Sequence, residues 1–300
     1  MIDEEYDDDS FSHRQHRSGG FACGASPGCR RNAGAGADPL TEKAHFPEGV
    51  VPVQGEFTDP AVLRAALEGV SGLFLLSPVA LEELTGTLHT LTLAHAAGVR
   101  DVVYLSVIHA DRFTDPPHFA AKAAAERLIQ DLGITATVLR PGYYMQNDTA
   151  EKDRLLAGTY APPVGNRSAL MVDVRDLGEV AAAALLERQR ADHGLPTDVI
   201  DVVDPEVLTG DGLARIWTEV LEREVSYGGD DVLDGLEQQL TAFMPGWMAY
   251  DMRLMMRRFQ VDGMLAAPGT DERLRALLGR PMRSYRDFAT ETAATWPRCP

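Results

Sequence analysis

The sequence predicts an α/β protein: a Rossmann-like, doubly wound parallel sheet with a smaller, mainly helical C-terminal lobe. Two observations carry this. Short apolar runs of strand length alternate with alanine- and leucine-rich helical stretches from Val50 to Leu139, the pattern of strands covered on both faces by crossover helices. The runs Val102 to Leu105 and Ile134 to Leu139 close on Ser106 and on Arg140-Pro141-Gly142-Tyr143-Tyr144, and open α/β sheets bind ligands beyond such strand ends.

Taken in order, residues 1–45 hold an acidic run and then a stretch rich in Gly, Arg, Ser and His with almost no aliphatic side chains. Nothing there can be buried, so disorder is expected. Val50 to Val53 is expected to be a short strand. Thr58-Asp59-Pro60 supplies an N-cap and a first-turn proline for a helix to Leu67. Leu73 to Leu76 is the next strand, closing on Ser77-Pro78, and Thr87 to Ala97 is a helix stopped by Gly98. Between Val102–Leu105 and Ile134–Leu139 lies a crossover helix, Ala120 to Leu132, with Glu126, Arg127 and Gln130 on its polar side. The cleft is therefore expected among Ser106, the Asp111–His118 loop and Pro141–Tyr144.

Further on, Ala169–Val172 and Val199–Val203 read as strands. A helix begins at Val174 with Asp173 and Asp176 at its amino end, where carboxylates suit the macrodipole. Thr209 caps a helix from Gly210 to Glu222, Val225 to Tyr227 is extended, and Val232 to Trp296 is mostly helical. Residues 46–190 are expected to form the nucleotide-binding unit and 191–300 the lobe that covers its cleft.

Composition narrows the function. The 300 residues are 45% hydrophobic and carry a formal charge of −17, which disfavours nucleic acid. No run is apolar enough to span a membrane, and the acidic first residues are the reverse of a secretory signal. The three cysteines, Cys23, Cys29 and Cys299, lack zinc spacing and suit a reduced, cytoplasmic chain. No metal is expected; the partner is a small molecule.

Several stretches, in this order and spacing, carry a resemblance: Gly55-Glu56-Phe57-Thr58-Asp59-Pro60, Phe74-Leu75-Leu76-Ser77-Pro78, Gly98-Val99 leading into Tyr104-Leu105-Ser106, Leu139-Arg140-Pro141-Gly142, Val172-Asp173-Val174-Arg175-Asp176 and Leu278-Gly279-Arg280-Pro281. Residues 49–297 resemble the NmrA-like branch of the atypical short-chain dehydrogenases/reductases. That branch includes NAD(P)H-dependent quinone and azo-compound reductases and non-catalytic NADP-sensing regulators. The resemblance implies an NAD(P)H-dependent oxidoreductase of a small electrophile such as a quinone. A sensor, or a defective chain that binds cofactor poorly, are the alternatives.

The resemblance also implies a cofactor site: Glu56 and Phe57 beside the adenine; Leu76, Ser77 and Pro78 along the adenosine wall; Lys122 at the nicotinamide ribose; Ser106 at the strand-end serine position in the cleft; Pro141, Gly142, Tyr143 and Tyr144 bordering the nicotinamide. Classical members of the wider superfamily place a Tyr four residues before the Lys; here His118 stands there, facing the same side of the helix as Lys122. His118 is then the candidate proton donor, with Ser106 and Lys122 as its catalytic companions. The plainer readings are a solvent-facing His118, a surface Lys122, strand-ending Ser77 and Ser106, and core tyrosines.

One expected part is missing. The family opens with a strand, a glycine turn that lets backbone amides approach a pyrophosphate, a helix, and a second strand ending in an arginine suited to a 2′-phosphate. His13-Arg14-Gln15-His16-Arg17, shifted by one base, can read Thr-Gly-Asn-Ile-Gly, and Gly34 to Leu40 can read Ala-Arg-Ala-Leu-Thr-Arg. Residues from Phe11 to Leu40 are thus expected to be an out-of-frame translation, with NADP(H) preferred over NAD(H) and its binding impaired.

Overall fold

The computed structural model describes residues 19–24, 31–35, 50–51 and 53–296. Gly19–Gly24 (β1) and Arg31–Ala35 (β2) come first, followed by Pro60–Leu67 (α1), Gly72–Leu76 (β3), Glu83–Ala96 (α2), Asp101–Leu105 (β4), Pro117–Asp131 (α3) and Ala136–Pro141 (β5). Then come Tyr143–Tyr144 (β6), Lys152–Leu156 (α4), Thr159–Tyr160 (β7), Met171–Val172 (β8), Val174–Arg190 (α5) and Asp198–Val202 (β9). Gly210–Leu221 (α6), Ser226–Tyr227 (β10), Leu233–Leu240 (α7), Gly246–Asp262 (α8), Thr270–Leu278 (α9) and Tyr285–Ala294 (α10) complete the described chain.

The main sheet runs β2-β1-β3-β4-β5-β9, and β3, β4, β5 and β9 are parallel. The strands alternate strictly between two buried layers, as their period of two requires. Val102 and Tyr104 pack with Leu63 and Leu67 of α1, Leu91 of α2 and Ile129 of α3. Val103 and Leu105 face the other way, onto Val180 and Ala184 of α5 and Leu274 of α9. This is the expected α/β, doubly wound architecture. Local chemistry explains its starts: the Asp59 carboxylate accepts from Ala61 N at 2.8 Å, Asp173 caps α5, and Thr209 caps α6. Asp176, fully buried, binds Arg280 and Arg283, so both aspartates hold the fold together as the sequence suggested.

Three expectations need correction. Val50–Val53 is not a strand at its described positions, because a strand requires a ladder partner and the place beside β3 is taken by β1. Strands β1 and β2 fall within residues 1–45, expected to lack structure; β1 pairs antiparallel with both β2 and β3. Main-chain pairing on the exposed edge of β3 needs no aliphatic side chains. The rest of 1–45, including His13–Arg17, lies outside the described residues. Finally, a boundary at 190 cuts the main sheet, since β9 comes from beyond it and pairs with β5.

A third core joins the lobe to the sheet unit, built from Phe113, Phe119 of α3, Tyr143, Tyr160, Trp217, Phe259 and Tyr285. At its centre sits Asp148, with no solvent exposure. Tyr143, Tyr160 and Tyr285 donate hydroxyls to its carboxylate at 3.2, 2.9 and 2.5 Å, and Trp217 Nε1 donates to Tyr285. Burial outweighs these donors and pushes the Asp148 carboxyl up to about 7.

Candidate functional site

The carboxyl ends of β3, β4 and β5 bring the site together, and α3 supplies its wall. His118, Lys122 and Glu126 recur every four residues along α3 and all three are buried, forming one stripe that faces the strand ends. Lys122 Nζ donates to the Ser77 carbonyl at 3.0 Å and pairs with Glu83 Oε1 at 2.8 Å. The Ser77 hydroxyl shares a 2.7 Å hydrogen bond with Thr87, which ties the end of β3 to α2. Lys122 is therefore not a surface lysine.

One turn further, Glu126 accepts the Ser106 hydroxyl at 2.5 Å and is gripped by Arg140, Nε at 3.0 Å and the second terminal nitrogen at 2.5 Å. Arg140 also reaches Asp111 at 3.1 Å. Glu83 and Glu126 thus each face a cation, Lys122 and Arg140, the arrangement that keeps buried carboxylates tolerable away from water. Between them lies Tyr104, with the Lys122 ammonium 5.8 Å from its ring centre. Burial, with the Glu83 and Glu126 carboxylates, pushes the Tyr104 phenol up. Burial likewise pushes the Glu83 carboxyl up, against the opposing pull of Lys122.

His118 is held from the lobe. Its Nδ1 lies 2.6 Å from Asp251 Oδ1, and its backbone N–H donates to Asp251 Oδ2 at 3.0 Å. Pro116, at the N-cap of α3, makes no side-chain cap hydrogen bond, so Asp251 of α8 does that work. His118 is not a solvent-facing histidine; it is 6% exposed.

The sequence-derived site therefore divides. Ser77, Ser106, His118 and Lys122 converge, and Pro141 adjoins them because its carbonyl accepts from Ile108 N at 2.9 Å. Leu76 and Tyr144 pack with the α5-side layer. Tyr143 points into the lobe core at Asp148, which corrects its assignment to the nicotinamide border. Phe57 packs against Gly86 of α2, one residue from the Thr87 that binds Ser77, while Glu56 is exposed and accepts from Thr58. Pro78 is half-buried. Gly142 has a packing reason: a Cβ there would meet the Leu170 carbonyl oxygen at 2.4 Å. Glu126, read with Arg127 and Gln130 as the polar side of its helix, belongs to the buried stripe. Glu83 and Asp251 carried no local signal, whereas the spacing of four from Lys122 does mark Glu126.

Residues 38–264 match the model of the NmrA-like family. The chain belongs to the NmrA-like family. Among its relatives, an NAD(P)H azoreductase of Xenophilus azovorans is 27% identical over 252 residues, 83% of this chain and 84% of that protein. Quinone oxidoreductase 2 of Escherichia coli (strain K12) is 29% identical over 193 residues, 63% and 65% of the two chains. The same NmrA-like fold is seen in the crystal structure of an NADPH-dependent quinone oxidoreductase from Escherichia coli complexed with NADPH, with a TM-score of 0.71, 24% identity, and coverage of 86% and 88%. No helix among the described residues is long and apolar enough to cross a membrane.

Proposed function

We propose that this NmrA-like protein is an NAD(P)H-dependent reductase of a small electrophile such as a quinone. The observation that carries the reading is the stripe His118–Lys122–Glu126 meeting Ser77 and Ser106 at the ends of adjacent parallel strands. The relatives that act on azo compounds and quinones support it, and the NADPH-bound relative favours NADPH as the form used.

The donor set fits the nicotinamide–ribose end of such a cofactor. Lys122 offers an ammonium to ribose hydroxyls, Ser106 a hydroxyl oxygen, and His118 its Nε2, since Nδ1 is committed to Asp251. Ser77 and Pro78 line the adjoining wall. The pyrophosphate end does not fit equally well. A parallel strand opening into a helix amino terminus is what cradles a pyrophosphate, and beside β3 the described neighbour is antiparallel. Binding is accordingly weak.

When bound, the reduced nicotinamide supplies a hydride. The chain's own contribution is positional and protic. Lys122 and Ser106 orient, the lobe excludes water, and His118 gives a proton from Nε2 to the oxygen that gains charge. Oxidation of NADPH with a quinone, together with a melting shift on adding NADPH, tests the reading. Turnover at high cofactor concentration supports it. A melting shift without turnover favours a regulatory sensor instead, and neither shift nor turnover overturns the proposal.

A further inference from the structure

We infer that Asp251, contributed by the C-terminal lobe, is the positioning residue that fixes His118 as a proton donor through Nε2. This rests on the reductase reading above for its chemistry, but not for its geometry. Asp251 is 1% exposed, and both of its oxygens are spent on one residue: Oδ2 on the His118 backbone N–H and Oδ1 on Nδ1. Capping a helix needs only a neutral oxygen such as that of Ser, Thr or Asn. A carboxylate withdrawn from water is costlier than a neutral group unless a charge opposes it. The imidazolium that forms when His118 takes up a proton is that opposing charge.

The arrangement also fixes the tautomer. A carboxylate accepts only, so Nδ1 keeps its hydrogen in both protonation states and Nε2 is the nitrogen that exchanges. A quinone reduced at this site would take a hydride, two electrons with one hydrogen, from a bound reduced nicotinamide and the balancing proton from His118. The Nε2–H bond of the imidazolium breaks, an O–H bond forms on the reduced ring, and a neutral Nδ1–H imidazole remains, to be reprotonated from solvent. The donor is complete only when α8 is docked on α3, so the lobe assembles the catalytic group as well as covering the cleft.

Two measurements test this. The first needs no cofactor: imidazole ¹⁵N spectra of the full chain at alkaline pH, with the His118 signal assigned by its loss in His118→Gln. The wild type is expected as the Nδ1–H tautomer. In Asp251→Asn the amide oxygen still caps the His118 N–H, so the amide NH₂ turns to Nδ1 and the tautomer reverses to Nε2–H. A wild-type Nε2–H tautomer, or no change in the variant, overturns the inference whatever the fate of the reductase reading.

The second compares two hydride acceptors under saturating NADPH. A quinone needs a proton as well as a hydride, whereas a cationic triarylmethane dye becomes neutral on taking a hydride alone. The quinone-to-dye turnover ratio is expected to fall by roughly 10²-fold or more in Asp251→Asn and in His118→Gln, the range of general acid catalysis. A parallel fall of both acceptors leaves the ratio unchanged and overturns the positioning role. A wild type that reduces neither acceptor sinks the reductase reading alone, and the tautomer still judges the inference.

Discussion

Glu83 and Lys122 meet at 2.8 Å with both side chains withdrawn from water, 4% and 6% exposed. Neither is stable there alone. Removing one partner of a buried pair typically costs about 3–5 kcal/mol because the other charge is stranded, while replacing both by apolar groups is often near neutral. Glu83→Leu should therefore destabilise the chain by about that amount in urea denaturation, and Glu83→Leu with Lys122→Met should recover most of it. A double variant no better than the single would show that the pair is not the stabilising unit.

The Asp148 carboxyl, raised to about 7 by burial, makes stability depend on pH with a definite sign. Unfolded, the group ionises near its ordinary value of 3.8; folded, it keeps its proton to about 7. Between these values the unfolded chain binds fewer protons, so stability falls as pH rises and levels off above about 7. Asp204, raised to about 6 mainly by burial, acts in the same direction over the lower part of that window. Asp173, Glu179 and Glu187 are lowered instead, so their contributions are lost only below the ordinary carboxylate range. Asp148→Asn should flatten the decline between pH 4.5 and 7 by up to about 1.4 kcal/mol per pH unit, read from urea midpoints. An unchanged slope would show that Asp148 ionises within the folded state at an ordinary pH.

Gly142 separates two explanations for a small residue at a strand end. If it served only to admit a cofactor, Gly142→Ala would leave the unliganded protein intact. A Cβ there would instead lie 2.4 Å from the Leu170 carbonyl oxygen and 3.0 Å from Val203 Cγ1, and a backbone oxygen cannot swing aside as a side-chain tip can. Overpacking of this kind typically costs about 1–3 kcal/mol. The melting temperature of the unliganded variant should fall by several degrees; an unshifted value would return Gly142 to a purely ligand-facing role.

What the sequence made legible follows from how local each cause is. Asp59, Asp173 and Thr209 act on amides two or three residues away, so their helices could be read directly. His118 and Lys122 share a face by spacing alone. Asp251 meets His118 across 133 residues, and Glu83 reaches Lys122 from the neighbouring helix α2, with β4 between them in the chain, so no window of sequence holds either pair. Tyr143 shows the opposite failure. It sits beside the expected cleft in the chain, but its hydroxyl is drawn to Asp148 in the lobe core. The fate of Val50–Val53 was hidden for a third reason, since a strand's existence depends on a neighbour and the neighbour is β1.

Arg140 is where the fold and the site become one interaction. Its guanidinium holds Glu126 through two nitrogens and Asp111 through a third, and Glu126 in turn holds the Ser106 hydroxyl. A lysine can carry the charge but cannot form the planar fork. Arg140→Lys should therefore cost about 1–3 kcal/mol, the worth of a charged hydrogen bond, whereas Arg140→Met should cost about 3–5 kcal/mol by leaving Glu126 without a cation. In the proposed reaction Ser106 orients rather than donates, so loosening it in Arg140→Lys should raise KM for NADPH more than it lowers kcat with a quinone. Equal costs for the Lys and Met variants would mean that charge alone matters there. A fall confined to kcat would place Ser106 at the reacting atoms instead.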